Sequence, residues 1–221
     1  MIIGVVGLIG AGKDTTADYL VNIHQFRRES FANTLKDAVA AVFGWDRELL
    51  EGRTRHSREW REQVDAWWAD RLNMPDLTPR WVLQYWGTEV VRRSFHDDTW
   101  IASLENRLRA TTDDVVISDC RFPNEIGAIK RAGGMVVRVH RGADPPWYRL
   151  AETVNRGPER NAEWSGAKTQ LETYGIHASE TAWIGTGFDA EIDNNGTMDH
   201  LYHQVTGLVR DLQAARPDQL G

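Results

Sequence analysis

The chain has 221 residues and a formal net charge of −6, long enough for one well-packed core and of the wrong sign for a surface that embraces a nucleic-acid duplex. Its apolar (41%) and charged (26%) fractions exclude disorder and fibrous architectures, and a single cysteine, Cys120, excludes an internal disulfide framework and fits a reducing compartment. The apolar start, Met1 to Gly12, carries no basic leader or cleavage site, and no later apolar run is long enough to span a bilayer, so the expectation is a cytoplasmic protein with neither a membrane nor a nucleic-acid partner.

Along the chain, Ile2 to Val6 reads as a buried parallel strand running into a glycine-rich loop, and a helix follows from about Lys13 to His24. Gln25 to Ser30 suits a shorter strand. Leu35, Ala38, Val39 and Val42 stand at i, i+3, i+4 and i+7, an amphipathic helix that Gly44 ends. Residues 46–76 are highly charged, yet Trp60, Val64, Trp67, Trp68 and Leu72 recur at helical spacing; they predict one exposed helix with an aromatic stripe. Thr78-Pro79 is a helix start, and Arg80 to Phe95 continues without a breaker except Gly87. Trp100, Ile101, Leu104 and Leu108 open another helix. Val115 to Ile117 is a buried strand ending in Ser118-Asp119-Cys120-Arg121, Pro123 to Arg131 a helix, and Met135 to Val139 a strand ending at His140-Arg141. Residues 142–182 lose clear periodicity and suggest a functional flap. Ala190 to Asp193 is a last strand, and Asn194-Asn195-Gly196 turns into a final helix carrying Met198, Leu201, Val205, Leu208 and Leu212. Strands alternating with helices predict an α/β domain on a parallel sheet.

Gly7-Leu8-Ile9-Gly10-Ala11-Gly12-Lys13-Asp14-Thr15 sits between the first strand and the first helix and matches G-x-x-x-x-G-K in the context that pattern requires. Glycines let backbone N–H groups turn inward onto phosphate oxygens, and the helix N-terminus adds the positive end of its dipole. The expected nucleotide contacts are Gly7, Gly10, Ala11, Gly12, Lys13, Asp14 and Thr15, with Lys13 reaching the β- and γ-phosphates of ATP or GTP. The residue after the lysine is ordinarily a magnesium-binding Ser or Thr; here it is Asp14. Thr15 takes that role in this reading, and Asp14 holds a metal-bound water or faces the acceptor. The loop by itself does not choose between a kinase, an ATPase and a switch.

Ligands of open α/β sheets lie beyond the carboxyl ends of the strands. Asp119, at such an end, is placed to position magnesium through water. Arg121 and Arg141 point toward the transferring phosphoryl group or an acceptor phosphate, so Lys13, Asp14, Arg121 and Arg141 form the candidate catalytic set. On the helix after Pro79, Arg80, Gln84, Thr88 and Arg92 stand four apart in one slowly winding polar stripe. Arginine suits bidentate phosphate binding and glutamine a base edge; Gly87 lets a ligand approach the backbone. Among the ten tryptophans, Trp86 and Trp100 are candidates for a stacking surface. The flap arginines Arg149, Arg156 and Arg160 are candidates to close over the phosphates and exclude water.

Taken together, the segments "GAGKDT", "SFANTLKDAVAAVFG", "TPRWVLQYWGTEVVR", "ISDCRFPNEIGAIKRAGGMVVRV", "HASE" and "DNNGTMDHL" resemble, in order, the bacteriophage deoxynucleoside monophosphate kinases. The resemblance spans nearly the whole chain and is weakest over residues 46–76 and 142–175. It implies a three-layer P-loop fold with a parallel sheet, a helical acceptor-binding insertion and a lid: a single domain with its core at 1–45, 98–141 and 183–215, acceptor helices at about 46–97 and the lid at about 142–182. It also implies transfer of the ATP γ-phosphoryl group to a deoxynucleoside monophosphate with Mg2+, and acceptor contacts at Arg80, Gln84, Trp86, Thr88, Arg92, Asp119, Arg121 and Glu125. Metal contacts at Thr15 and Asp119, a homodimer and action in a host cytoplasm complete the expectation. Phosphomevalonate kinases of the animal type share the "GK-D" loop and the "SD-R" strand end, so a small phosphorylated acceptor of another kind, or a nucleotide-dependent switch, stays open at this point.

Overall fold

The computed structural model describes residues 1–158 and 161–215. They form two compact units, Met1–Ser30 with the chain from Arg107 onward, and Phe31–Asn106. In chain order the elements are β1 (Ile2–Val6), α1 (Lys13–His24), β2 (Arg27–Glu29), α2 (Asn33–Phe43), α3 (Arg47–Glu51), α4 (Arg55–Arg61), α5 (Ala66–Leu72) and α6 (Pro79–Tyr85). A π-helical stretch, Trp86–Arg93, continues α6 and leads to α7 (Thr99–Arg109), β3 (Val115–Ile117), α8 (Pro123–Arg131) and β4 (Met135–His140). Then come α9 (Tyr148–Arg156), α10 (Ala162–Thr173), α11 (Ala178–Thr181), β5 (Ala190–Asp193) and α12 (Met198–Ala214).

Among the described residues the strands of the first unit make one parallel sheet in the order β2-β3-β1-β4-β5. β1 is flanked on both sides, and its Ile3, Val5 and Val6 are almost wholly buried, as are all three residues of β3. Strands covered on both faces carry continuous apolar runs rather than alternation, and that is what Ile2–Val6 and Val115–Ile117 show; in β4 the run Met135–Val137 is followed by the buried Arg138. Leu20 of α1 and Leu201, Val205 and Val209 of α12 close the core with Ile3, Val116, Val137 and Ile192. The two helices also meet through Tyr19 and Tyr202, stacked 4.1 Å apart. Every strand delivers its carboxyl end to the same edge of the sheet, so the residues that follow β1, β2, β3, β4 and β5 collect there. The α/β class, the parallel sheet and the strand positions agree with the expectation from sequence.

The second unit is helical, with a core of Leu35, Val39, Phe43, Trp45, Leu50, Leu77, Val82 and Trp100. Here the sequence reading needs correction: residues 46–76 are not one exposed helix. Asp46 caps α3 by accepting from Glu48 and Leu49 N–H, Gly52 ends it in the left-handed region, Thr54 caps α4 and Asp65 caps α5. Side-chain oxygens at N-caps satisfy the amides a helix start leaves unpaired, so each cap breaks the run. The apparent stripe crosses these breaks: Trp60 and Trp68 pack against the core, whereas Trp67 and Val64 are exposed. Residues 142–182 also differ from expectation, holding α9, α10 and α11 in place of an irregular flap. Few apolar side chains anchor these helices (Tyr148 and Ala151 in α9, Ala167 in α10), so they leave little periodicity to read. Among the described residues no helix is long and apolar enough to cross a membrane.

Candidate active site

The phosphate loop leaves β1 and re-enters helix at Lys13. Gly12, the residue before α1, has φ 104°, a left-handed conformation that costs a residue with a Cβ about 1–2 kcal/mol. A Cβ there would also collide with the side-chain amide of Asn194. That amide donates to the Ala11 carbonyl at 2.8 Å, so the turn after β5 clamps the loop from the side. Lys13 folds back over its own loop: Nζ donates to the carbonyls of Gly7 (2.8 Å) and Leu8 (3.0 Å). Its third N–H has no protein acceptor among the described residues. Burial, and after it the Arg121 guanidinium, push the Lys13 ammonium below its ordinary value; Glu180 and Asp14 oppose this. A desolvated ammonium with one bond in reserve favours an arriving polyphosphate.

The strand ends assemble the rest of this edge. Asp14 remains exposed and its Oδ1 lies 3.4 Å from Arg28 of β2 and 3.3 Å from the Ser118 hydroxyl. Arg28 is held by Asp18 at 2.7 Å. After β3, Asp119 accepts a 2.6 Å hydrogen bond from the Ser30 hydroxyl, and Arg107 donates both to the Ser30 carbonyl (2.9 Å) and to the buried Glu29 (3.1 Å). Asp119 is therefore oriented by β2 from the neighbouring strand end. Arg121 pairs with Glu180 of α11 at 2.6 Å. Glu125 is buried, and its carboxylate accepts from the backbone N–H groups of Arg121 (2.8 Å) and Phe122 (3.1 Å). In that place it fixes the turn that carries Arg121 and complements the start of α8.

A cleft of ≈ 560 Å³ opens on this edge. Gly10, Gly12, Lys13, Asp14 and Thr15 line one side, Arg141, Asn194 and Gly196–Met198 the other. Arg141 is exposed and makes no ion pair among the described residues, so it offers its fork to the cleft. The wall behind it is tied together: Gly142 N–H donates to Asn195 Oδ1 (2.7 Å), and Asn194 N–H to the His140 carbonyl (2.8 Å).

The stripe on the helical unit occupies a helix whose winding changes midway. Four-residue steps advance about 40° round an α-helix but fall short of a turn in a π-helix, which has more residues per turn. Arg80 and Gln84 lie on α6, Thr88 and Arg92 on the π-helical stretch, so the drift reverses and the four stay closer to one face. Gln84 and Thr88 are exposed, and Arg80 pairs with Glu62 at 2.8 Å. The two tryptophans differ. Trp100 is buried, its indole N–H donating to the Gly87 carbonyl (3.0 Å); a ring so enclosed offers no face to a ligand. Trp86 is half-buried, edge-on to Phe43 at 5.5 Å. Of the flap arginines, Arg156 is tied to the Gly185 carbonyl (3.0 Å) and to Glu152 (3.0 Å). It and Arg149 line a separate cleft with Arg138 and Phe188. Arg160 lies outside the described residues.

Sequence reasoning missed Asn194, Arg28 and Glu180 as parts of this edge. Two had a signal: Asn194 and Glu180 fall inside the segments "DNNGTMDHL" and "HASE" that carried the resemblance. Arg28 had none beyond its place at the end of a short strand.

No protein-family model matches the chain. It is 32% identical over 155 residues to a protein of Acanthamoeba polyphaga mimivirus named as a deoxynucleotide monophosphate kinase, spanning 64% of this chain and 74% of that one. It is 26% identical over 174 residues to the deoxynucleoside-5'-monophosphate kinase of Escherichia phage T5, spanning 57% and 70%. Among solved structures it aligns with the shikimate kinase of Aquifex aeolicus (10% identity, TM-score 0.43, 98% of this chain and 100% of that one). A gluconokinase of Sinorhizobium meliloti aligns at 17% identity and TM-score 0.40, over 96% and 93%. On the strength of the viral relative, which it covers over most of its length, the chain belongs to the deoxynucleotide monophosphate kinase family.

Proposed function

We propose that the protein transfers the γ-phosphoryl group of ATP to a deoxynucleoside 5'-monophosphate, giving ADP and the deoxynucleoside diphosphate. The observation that carries this reading is the phosphate loop with Lys13 folded over it, set beside an arginine-bearing strand end in a member of this family. An oxygen of the acceptor phosphate attacks the γ-phosphorus, and the bond to the β–γ bridging oxygen breaks as ADP leaves. The acceptor phosphate is mostly ionised near neutral pH, so no strong general base is needed. Catalysis is positioning and charge neutralisation. In this role Lys13 exchanges its bonds to the loop carbonyls for the β- and γ-oxygens, and Arg121, steered by Glu180, meets the charge that spreads over the moving group. Arg141 and Asn194 border the donor's side of the cleft.

Magnesium fits the residues present. It keeps several waters and takes phosphate oxygens with one or two protein ligands, and the edge offers hard oxygen donors in Thr15, Ser118 and Asp119. No group of three or more His, Cys, Asp or Glu side chains poised for a metal occurs among the described residues. Thr15 and a water held by Asp119 would be its contacts, and it would offset the negative charge of the β- and γ-phosphates. For the acceptor, Gln84 and Thr88 would meet the base or sugar and Arg80 and Arg92 the phosphate. The partners are thus ATP and a nucleotide, and a homodimer in the host cytoplasm remains part of the reading.

The test is ADP release with ATP and Mg2+, each deoxynucleoside monophosphate, its ribose counterpart and phosphomevalonate being presented separately. Release that depends on a deoxynucleotide, with the matching diphosphate formed, supports the reading. Release without any acceptor, or with phosphomevalonate alone, would overturn the acceptor while keeping the phosphate loop.

A further inference from the structure

An arginine that is removed from water yet has no carboxylate partner is expensive, because the guanidinium keeps its charge at any working pH. Arg61, at the end of α4, is such a residue. It is half-buried, its Nε is enclosed and has no hydrogen-bond partner, and its Nη1 donates to the Leu50 carbonyl at 3.5 Å, a weak contact. Among the described residues it makes no ion pair. The guanidinium lies against Gly52, where a Cβ would collide with Nη1, Nη2 and Cζ, so the group is seated by the glycine and not waving in solvent.

The carboxylates nearby are committed elsewhere. Glu51 is bound by Lys36 at 2.8 Å and by Arg47, and Glu62 by Arg80 at 2.8 Å. Arg80, on the adjoining α6, adds a like charge: after burial, its guanidinium is the strongest influence pushing Arg61 below its ordinary value. Arg80 alone pairs with Glu62, so Arg61 is left with no carboxylate of its own and the two arginines carry excess positive charge inside the helical unit itself. Its Arg80–Glu62 bond, with both side chains more than half exposed (51% and 59%), is of the kind that contributes little and exchanges readily.

We propose that Arg61, together with Arg80, is the seat of the acceptor nucleotide's 5'-phosphate. The inference rests on the kinase reading above and adds to it a residue from the segment that least resembles the viral kinases. A phosphate dianion supplies what the pair lacks: acceptors for the Nη groups of Arg61, and a counter-charge that two forks can share.

The experiment compares Arg61→Gln and Arg61→Lys with Arg58→Gln, an exposed arginine of the same helix, by steady-state kinetics and by calorimetric titration with inorganic phosphate. Arg61→Gln is expected to raise KM for the deoxynucleotide about 10- to 100-fold, the range of one charged hydrogen-bonding partner, with KM for ATP and kcat at saturation within about two-fold. With the phosphate loop filled by ADP, the heat of phosphate binding disappears in that variant. Arg61→Lys keeps the charge but not the fork and is expected to raise KM about five-fold; Arg58→Gln changes neither parameter. Unchanged KM in Arg61→Gln, with a lower melting temperature, would overturn the proposal and leave Arg61 a packing residue. Should Arg61→Gln fail to fold, an unchanged KM in Arg61→Lys overturns it equally. Failure of the kinase reading is distinguishable: the wild-type protein would then show no deoxynucleotide-dependent ADP release, while phosphate titration would still report whether Arg61 binds an anion.

Discussion

The phosphate-loop unit and the helical unit hold their candidate groups by different means. In the first, backbone placement leads: strand ends bring Lys13, Asp119, Arg121 and Arg141 to one edge of the sheet, the Asn194 amide grips the loop through a carbonyl, and Ser30 and Glu180 only orient Asp119 and Arg121. In the second, side chains do the holding. Arg61 lies on Gly52, Arg80 on Glu62, and the polar stripe depends on a change of helical pitch after Tyr85. A site set by backbone loses function when one atom is misplaced, whereas a site set by side chains has substitutes among its neighbours. Single changes should therefore cost more in the first unit.

The largest effect is expected at Lys13. Lys13→Ala should lower kcat by about a thousandfold, the scale for losing a preorganised cationic group at developing charge, with the melting temperature nearly unchanged because the ammonium bonds only to its own loop. ADP release and a thermal melt check both halves, and near-normal turnover would defeat the phosphate-loop assignment. Next in size is Gly12→Ala. Left-handed strain and the displaced Asn194 amide together should cost about 2–3 kcal/mol, read as a lower denaturant midpoint and weaker ATP binding. Gly10→Ala is the control: its φ of 78° is also left-handed, but no atom waits within 4 Å. Equal losses at the two positions would show that conformational strain alone, and not the Asn194 clamp, governs the loop.

The same contrast explains what could be read in advance. The loop was legible because its chemistry is local: seven spaced residues between a strand and a helix specify both fold and ligand. The strands were legible because burial on both faces leaves unbroken apolar runs such as Val115-Val116-Ile117. Residues 46–76 misled because Trp60, Val64, Trp67 and Trp68 keep helical spacing by coincidence across the caps at Thr54 and Asp65, and cap hydrogen bonds leave no periodic trace. The π-helical turn was equally invisible, since its residues differ from those of an α-helix in pairing and not in type. Arg61 was passed over in a run of exposed charges; only burial without a counter-ion distinguishes it.

In the helical unit the matching prediction is smaller. The indole N–H of Trp45 donates to Asp65 Oδ2 at 2.8 Å, while Asp65 Oδ1 caps α5 through Trp68 N–H (3.0 Å). Trp45→Phe keeps most of the stacking on Phe43 but removes one hydrogen bond to a carboxylate, so it should cost about 1.5 kcal/mol with KM for ATP unaltered. A urea titration and an ATP saturation curve measure the two. A loss of ATP affinity would break the contrast between the units.

The smallest effect is one of pH. Burial and Arg121 hold the Lys13 ammonium below its ordinary value of 10.5. In the window between the lowered value and 10.5, the unfolded chain binds a proton that the folded chain has released, so stability contributed by this group rises with pH there. Below the lowered value both states are protonated and the slope vanishes. Lys13→Met, uncharged at every pH, removes that rise: the gap in unfolding free energy between Lys13→Met and wild type should narrow as pH increases through the window, measured by urea midpoints at several alkaline values. Saturating ATP should reverse the effect. Phosphates raise the ammonium again, so the nucleotide-bound protein should lose the rise and hold its charge to higher pH. Wild-type stability that fell with pH relative to Lys13→Met in the nucleotide-free protein would mean that Lys13 is stabilised as a cation by the loop carbonyls and Glu180, against the burial that surrounds it.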